Sequence, residues 1–251
     1  MGKVSPPMRH LLDWLLDQLY PRNCEATGKP VEPASPLKHF CAEAAARGIW
    51  VIQPPCCPHC GAPFWGAADS LRPCNSCDQP GRRYQHGASL LLLRDAGRTL
   101  VHELKYRRGL HLLHDIHQLL TASERFQNFL AGATLVPVPL HPLRQWWRGF
   151  NQAQLIAETF AQHPDTTVAP ILKRKRYTRT QTRLNRSQRQ RNTRGAFEVR
   201  KGVAVSRHTR YIIVDDVLTT GATLNACAKA LRRHGARDID IVKLTHACDM
   251  T

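Results

Sequence analysis

The sequence predicts an α/β fold, a parallel sheet flanked by helices, preceded by a small Cys-rich module of the zinc-ribbon type. Residues 211–214 form a continuous apolar run rich in β-branched residues, which is typical of a strand covered on both faces. Residues 224–234 carry apolar side chains at helical spacing, so a helix follows this strand. Residues 203–205 and 239–244 predict further strands, and the second of these should lie beside the 211–214 strand after the helix crossover. Two Cys-x2-Cys pairs precede this part of the chain. A chain of 251 residues has room for one full α/β domain and one smaller module.

Two acids, Asp215 and Asp216, end the predicted strand at the place where open α/β sheets bind ligands. The turn that follows, residues 219–223, contains three threonines and Gly221 and lies at the start of the predicted helix. Unpaired N–H groups and the helix dipole favour a phosphate there, and glycine allows close approach. A sugar phosphate would use both the acids and the turn. An ordinary strand-turn-helix is the alternative, but it explains neither the acid pair nor the clustered hydroxyls.

The run from 211 to 223 resembles the phosphoribosyl-pyrophosphate (PRPP) motif of the type I phosphoribosyltransferases. The resemblance implies that family's parallel sheet, with Asp215 and Asp216 as the catalytic residues that hold the ribose hydroxyls. It also implies Mg²⁺ bound together with PRPP. The residues expected to bind PRPP and wrap its 5′-phosphate are Val217, Leu218, Thr219, Thr220, Gly221, Ala222 and Thr223.

A second loop is expected at the same edge of the sheet. Residues 134–140 predict a strand ending in a proline-locked loop, because Pro137 and Pro139 lack the N–H that a continuing ladder needs. If the strands are parallel, this loop lies beside the acid pair. By the same resemblance it would receive the pyrophosphate, through Val138, Pro139, Leu140 and the nearby charges of Arg144 and Arg148.

The chain is strongly basic, with a formal net charge of +17. Residues 173–210 alone contain fourteen basic side chains and one acid, Glu198. Such clustering favours a polyanion, either nucleic acid or a highly phosphorylated small molecule. A flexible lid over a bound polyphosphate or a groove for single-stranded DNA would have this composition, and a solvated basic loop is the alternative. The nucleic-acid or lid candidates are Lys105, Arg174, Arg176, Arg183, Arg186, Arg189 and Arg191.

Lys105 belongs to a separate cluster, residues 104–108, which holds three cations and Tyr106. The cluster predicts phosphate contact with base or ribose stacking, and a basic helix face with its charges in water is the alternative.

The cysteines predict a metal. Two Cys-x2-Cys pairs separated by 13 residues can place four thiolates around Zn²⁺, and a site with four protein ligands is structural because no coordination position is open. The ligands would be Cys57, Cys60, Cys74 and Cys77. A metal-free module with buried thiols is the alternative.

A second metal site is left open by the sequence. Cys24 and Cys41 each stand where a further knuckle could begin, but Thr27 and Ala44 occupy the positions of the second thiols. On spacing alone, His39 or His59 could substitute.

The predicted domains are an N-terminal region at 1–22 with an amphipathic helix at 8–19, a zinc-binding module at 23–80 and the α/β domain at 84–251. Asp13 and Asp17 argue against a signal peptide and against a membrane-surface helix, and no stretch has transmembrane length. We therefore expect a cytoplasmic protein without membrane insertion.

Over about residues 11–245 the chain resembles the ComF/GntX family. The motifs that carry the resemblance are Leu19-Tyr20-Pro21-Arg22 with Cys24, the cysteine module, Leu104-Lys105-Tyr106-Arg107, Val136-Pro137-Val138-Pro139-Leu140, Arg148-Gly149-Phe150-Asn151-Gln152, Gly195-Ala196-Phe197 and the PRPP run. The resemblance implies a role in natural competence or utilisation of external DNA, with single-stranded DNA and proteins of the competence machinery as partners.

Three functions fit these expectations. The first is a conventional phosphoribosyltransferase of nucleotide salvage, the second a DNA-handling protein that keeps the fold, and the third a PRPP-sensing regulator without turnover. Binding and catalysis use the same residues, so the sequence does not separate them. It also names no acceptor.

Overall fold

The computed structural model describes residues 21–64, 72–78, 81–162, 164–175, 193, 195–218 and 221–247. The helices are α1 (Ala42–Gly48), α2 (Asp95–Tyr106), α3 (Leu113–Thr121), α4 (Glu124–Leu130), α5 (Pro142–Arg148), α6 (Gln152–Phe160) and α7 (Ala222–Arg233), with a 3-10 turn at Leu110–Leu112. The strands are β1 (Gly87–Leu92), β2 (Thr134–Pro137), β3 (Thr167–Val168), β4 (Leu172–Arg174), β5 (Phe197–Val199), β6 (Arg210–Leu218) and β7 (Asp238–His246).

The main sheet runs in the order β1-β7-β6-β2-β3, and each neighbouring pair within it is parallel. The strand that carries the acid pair, β6, therefore lies in the middle. Its neighbour β7 follows it in sequence after the α7 crossover, as the sequence predicted. Its other neighbour is β2, with Pro137 beside Val214. The carboxyl end of β2 thus reaches the edge at which the acids lie.

Both faces of the sheet are covered, which is why residues 211–214 of the central strand β6 are all apolar and buried. On one face Ile212 and Val214 belong to a buried cluster with residues of α2, α3, α4 and α6. On the other face Tyr211 and Ile213 pack with residues of α7, with the β4–β5 hairpin and with Cys57 and Cys60 of the cysteine module. The predicted fold class, a parallel sheet flanked by helices, is confirmed.

The main difference from the sequence prediction lies between β3 and β6. The alternation of valines at 203–205 predicts a strand, and this prediction is wrong, because these residues form no ladder. Val203 and Val205 instead pack partly buried against the second cluster, so their apolar character serves packing rather than pairing. The additional strand is β5, which pairs antiparallel with β4.

The β4–β5 hairpin brackets residues 175–196, which are most of the basic segment 173–210. The candidates Arg176, Arg183, Arg186, Arg189 and Arg191 lie outside the described residues, as does the predicted helix at 8–19. In the described part of the chain, no helix combines the length and apolar character that crossing a bilayer requires.

Candidate functional site

The acid pair lies at the carboxyl end of β6, and its two side chains point to opposite faces of the sheet because side chains alternate along a strand. Asp216 forms an ion pair with Lys105 in the last turn of α2, with Asp216 Oδ1 and Lys105 Nζ 3.0 Å apart. Asp215 lies on the α7 face, and its Oδ1 accepts a hydrogen bond of 2.9 Å from the backbone N–H of Asp216. Lys105, expected at a lid or nucleic-acid contact, is thus held at the candidate sugar site.

The environment of Asp215 disfavours its charge. Burial, followed by the negative charge of Asp216, raises the pKa of Asp215 to about 7, while the backbone N–H of Asp216 and the cations Lys105 and Arg174 act in the opposite direction. Near neutral pH the Asp215 carboxyl group is therefore protonated in some molecules and ionised in others. Strongly perturbed acids of this kind cluster at functional sites.

Arg144 and Arg174 belong to different parts of the chain but act on each other electrostatically, and Arg174 also acts on Asp215. Arg174 on β4 lies close enough to Arg144 on α5 that burial and then the positive charge of Arg144 lower the Arg174 pKa, and Asp215 acts in the opposite direction. The guanidinium of Arg174 also lies over the Phe197 ring, at 5.2 Å from its centroid. The two arginines carry more positive charge than Asp215 alone can neutralise, and this excess favours binding of an anion.

The loop after β2 is fixed against the end of β6. The N–H of Val138 donates to the carbonyl of Val214 at 2.9 Å, and Asn151 Nδ2 donates to the carbonyl of Val138 at 3.0 Å. Asn151 Oδ1 also accepts from the N–H of Ala153, so the same side chain caps α6. Pro139 is buried and Leu140 partly buried.

Asn151 belongs to a motif recognised in the sequence, but the sequence alone did not predict a role for it. Its position before a helix was the available signal. Arg148, expected to contact pyrophosphate, lies over the Tyr106 ring at 5.4 Å from the centroid.

The predicted phosphate turn is described at its two ends. β6 runs through Val217 to Leu218, and α7 begins at Ala222, with Thr223 in its first turn. Gly221 is the N-cap and has a left-handed φ of 68°, which favours glycine. Thr219 and Thr220 lie outside the described residues. The phosphate-binding assignment of this turn therefore stays a prediction.

The four predicted zinc ligands come together. The sulfur atoms of Cys57, Cys60, Cys74 and Cys77 all lie within 4.8 Å of one another. A tetrahedral site with Zn–S bonds of about 2.3 Å has sulfur–sulfur edges of about 3.8 Å, and the Sγ atoms of Cys60 and Cys74 are 3.7 Å apart. The N–H of Cys74 also donates to Cys57 Sγ at 3.3 Å. The donor set fits a structural Zn²⁺.

One carbonyl of the cysteine module binds two strands of the main sheet. The Cys60 carbonyl accepts hydrogen bonds from Lys243 Nζ on β7 and from Ser89 Oγ on β1. Lys243 is fully buried and stands in register with both Ser89 and Asp215. The candidate metal centre therefore packs against Ser89 and Lys243, which stand side by side with Asp215 across β1, β7 and β6.

Comparisons with known proteins agree with this architecture. The family described as "Phosphoribosyl transferase domain" matches residues 148–249. Competence protein F of Haemophilus influenzae is 38% identical over 114 residues, which are 45% of this chain and half of that protein's length. The DNA utilization protein YhgH of Salmonella typhimurium is 33% identical over 206 residues, or 80% of this chain and 86% of that protein. The chain belongs to the ComF/GntX family. Competence protein ComFC of Streptococcus pneumoniae is 34% identical over 110 residues, 43% of this chain and 46% of that protein.

The ComF/GntX chain does not complete a second metal site in the part that the structure describes. Cys24 and Cys41 are both buried, and the Thr27 hydroxyl lies 3.6 Å from Cys41 Sγ. The histidines left open as substitutes have other partners. His39 Nδ1 lies 2.8 Å from Asp115 Oδ2, and His59 Nδ1 lies 2.7 Å from a backbone carbonyl. Among the described residues, only the four-cysteine group gathers three or more metal-binding side chains.

Proposed function

We propose that this ComF/GntX protein binds PRPP or a related ribose 5-phosphate at the carboxyl ends of β2 and β6. We also propose that it acts in the cytoplasm during natural competence or utilisation of external DNA, where it binds single-stranded DNA. The observation that carries the ligand assignment is the acid pair at the carboxyl end of the central strand, where Asp216 Oδ1 lies 3.0 Å from Lys105 Nζ and Arg174 acts electrostatically on Asp215. The names of the relatives, competence protein F and DNA utilization protein, support the biological role.

Each part of the site would have a distinct task. Asp215 and Asp216 would accept hydrogen bonds from the ribose hydroxyls, because carboxylates are strong acceptors. Arg144 and Arg174 would supply positive charge to the pyrophosphate, and the turn through Gly221 would hold the 5′-phosphate on the N–H groups at the start of α7. Mg²⁺ bound with PRPP would neutralise further phosphate charge.

We further propose that the cysteine module holds a structural Zn²⁺. We also propose that the chain consists of an N-terminal helical region at 1–22, the zinc-binding module at 23–80 and the α/β domain at 84–251. Four thiolates in a segment rich in turns would couple metal binding to folding of that segment. Proteins of the competence machinery would be further partners.

Calorimetric titration with PRPP, with and without Mg²⁺, tests the ligand assignment. The wild-type protein is compared with the double variant Asp215→Asn/Asp216→Asn and with Asp238→Asn. Asp238 is an exposed acid at the opposite, amino end of β7, so it provides the same chemical change away from the site. We expect the double variant to lose binding and the control to keep it. Equal affinity of all three proteins would reject the assignment.

Pyrophosphate release separates turnover from binding. A phosphoribosyltransferase of nucleotide salvage would release pyrophosphate from PRPP when a nucleobase mixture is added, and this can be followed by ³¹P NMR. A PRPP-sensing or DNA-handling protein would bind PRPP without that release. The same experiment with single-stranded DNA shows whether DNA acts as an acceptor.

A further inference from the structure

Helix α5 exposes its apolar face. Leu143, Trp146 and Trp147 stand at positions i, i+3 and i+4, so they lie on one side of the helix. This stripe normally faces a protein core, yet the three residues are 62%, 85% and 71% exposed. No residue of α5 is buried. Apolar surface displayed in this way usually marks an interaction site.

Basic residues surround the exposed stripe. Arg144 and Arg148 lie on α5 itself, and residues 139–152 contain no acid. Arg148 lies over the Tyr106 ring, which is itself 55% exposed, so the end of α2 adjoins α5. Arg108 reaches the same junction, because its Nη2 lies 3.9 Å from the position that a Cβ on Gly149 would take. Together these residues form a surface of aromatic rings and cations, which we call the aromatic platform.

The composition of the platform matches single-stranded nucleic acid. Unpaired bases stack on aromatic side chains without regard to sequence, and the adjacent phosphates bind arginine. The position also fits, since α5 directly follows the β2 loop and Arg144 acts electrostatically on Arg174 of the candidate sugar-phosphate site. A membrane surface would need more apolar area than one leucine and two tryptophans on a seven-residue helix supply.

We propose that the aromatic platform, formed by α5 and the end of α2, binds single-stranded DNA by stacking bases on Trp146 and Trp147. This inference rests on the proposed DNA-binding function and assigns it a surface. The basic segment 173–210 contributes charge, whereas the platform contributes contacts that are independent of charge. A strand held there passes beside the mouth of the candidate PRPP site.

Fluorescence anisotropy with a labelled oligothymidylate, over a series of salt concentrations, tests the proposal. We expect Trp146→Ala/Trp147→Ala to weaken binding by about 10- to 100-fold, because each stacked base contributes substantially. The slope of affinity against salt is expected to stay unchanged, since no cation is removed. Trp50→Ala is the matched control, because Trp50 is 41% exposed and lies under Arg94 at a different place. It should keep wild-type affinity.

A second variant keeps the test decisive if the alanine protein folds poorly. Trp146→Phe/Trp147→Phe retains two stacking rings and should stay within a few-fold of wild type. If the phenylalanine variant lost as much DNA affinity as the alanine variant, base stacking on these side chains would be refuted. Unchanged DNA affinity in the alanine variant would overturn the platform. It would do so even if that variant no longer bound anionic vesicles or no longer self-associated.

The outcome is distinguishable from failure of the proposed function. A wild-type protein that does not bind the oligonucleotide refutes the DNA-binding function itself, and the platform with it. A wild-type protein that binds DNA equally well with and without the two tryptophans refutes the platform alone. PRPP binding, measured on the same variants, should be unchanged by either tryptophan substitution.

Discussion

Replacing Asp215 by Asn should make the ligand-free protein more stable at pH 8. The carboxyl pKa is raised from an ordinary 3.8 to about 7, first by burial and then by Asp216. The folded protein therefore holds this proton more tightly than the unfolded chain does, so the stability of the wild type falls as the pH rises from about 4 to about 7. A pKa shift of this size corresponds to roughly 4 kcal/mol of unfolding free energy at most. Asn removes the cost of ionising a buried carboxyl group, because it carries no charge.

The assay is urea unfolding of the wild type and of Asp215→Asn at a series of pH values from about 4 to about 8. The difference in unfolding free energy between the two proteins should grow over this interval in favour of the variant, and then stay constant above about pH 7. Asp238→Asn is the control, because it makes the same chemical change at an exposed acid away from the site. A variant that gains nothing between pH 4 and pH 8 would refute the reasoning.

The same substitution should abolish the stabilisation that PRPP confers on the wild type. Ligand binding stabilises a protein in proportion to the logarithm of the ligand concentration over its dissociation constant. We therefore expect a variant that is more stable alone and insensitive to PRPP, which is the trade-off expected of a functional acid. Retained PRPP stabilisation would show that Asp215 does not contact the ligand.

Three further predictions concern the metal and the basic segment. Zinc removal by a strong chelator, or Cys74→Ser, should lower the melting temperature, and elemental analysis should find one zinc per chain; a metal-free native protein would contradict this. Gly61→Ala should lower the melting temperature in calorimetry and weaken zinc retention, because a Cβ there would lie 2.6 Å from the backbone nitrogen of Ser89; a wild-type melting temperature would count against it. Arg183→Ala/Arg186→Ala should reduce the salt dependence of oligonucleotide affinity by about two phosphate contacts, and an unchanged slope would exclude these residues from DNA binding.

The sequence was informative where local chemistry and strand order decide the structure. A continuous apolar run identified β6, and two proline positions identified the end of β2. Parallel pairing then brought the Val138 loop beside Asp215, as expected. The cysteine pairs were predictable for a similar reason, because the ligand spacing of a metal site is a local property.

The contacts between distant elements could not be predicted in the same way. The ion pair of Lys105 with Asp216 depends on how α2 packs on the sheet, and no local pattern reports it. The electrostatic effect of Arg174 on Asp215 depends on where the β4–β5 hairpin packs, and no local pattern identifies β5 as the partner of β4. The exposure of Trp147 is also a tertiary property, since its helical spacing alone resembles that of a core helix.

Comparative titration of PRPP and ribose 5-phosphate tests the central claim most directly. The two ligands share the sugar and the 5′-phosphate, and only PRPP has the pyrophosphate that Arg144 is proposed to meet. The account predicts that Asp216→Asn weakens both ligands, whereas Arg144→Gln weakens PRPP and leaves ribose 5-phosphate unchanged. Binding of neither ligand to the wild type, or equal weakening of both by Arg144→Gln, would contradict it.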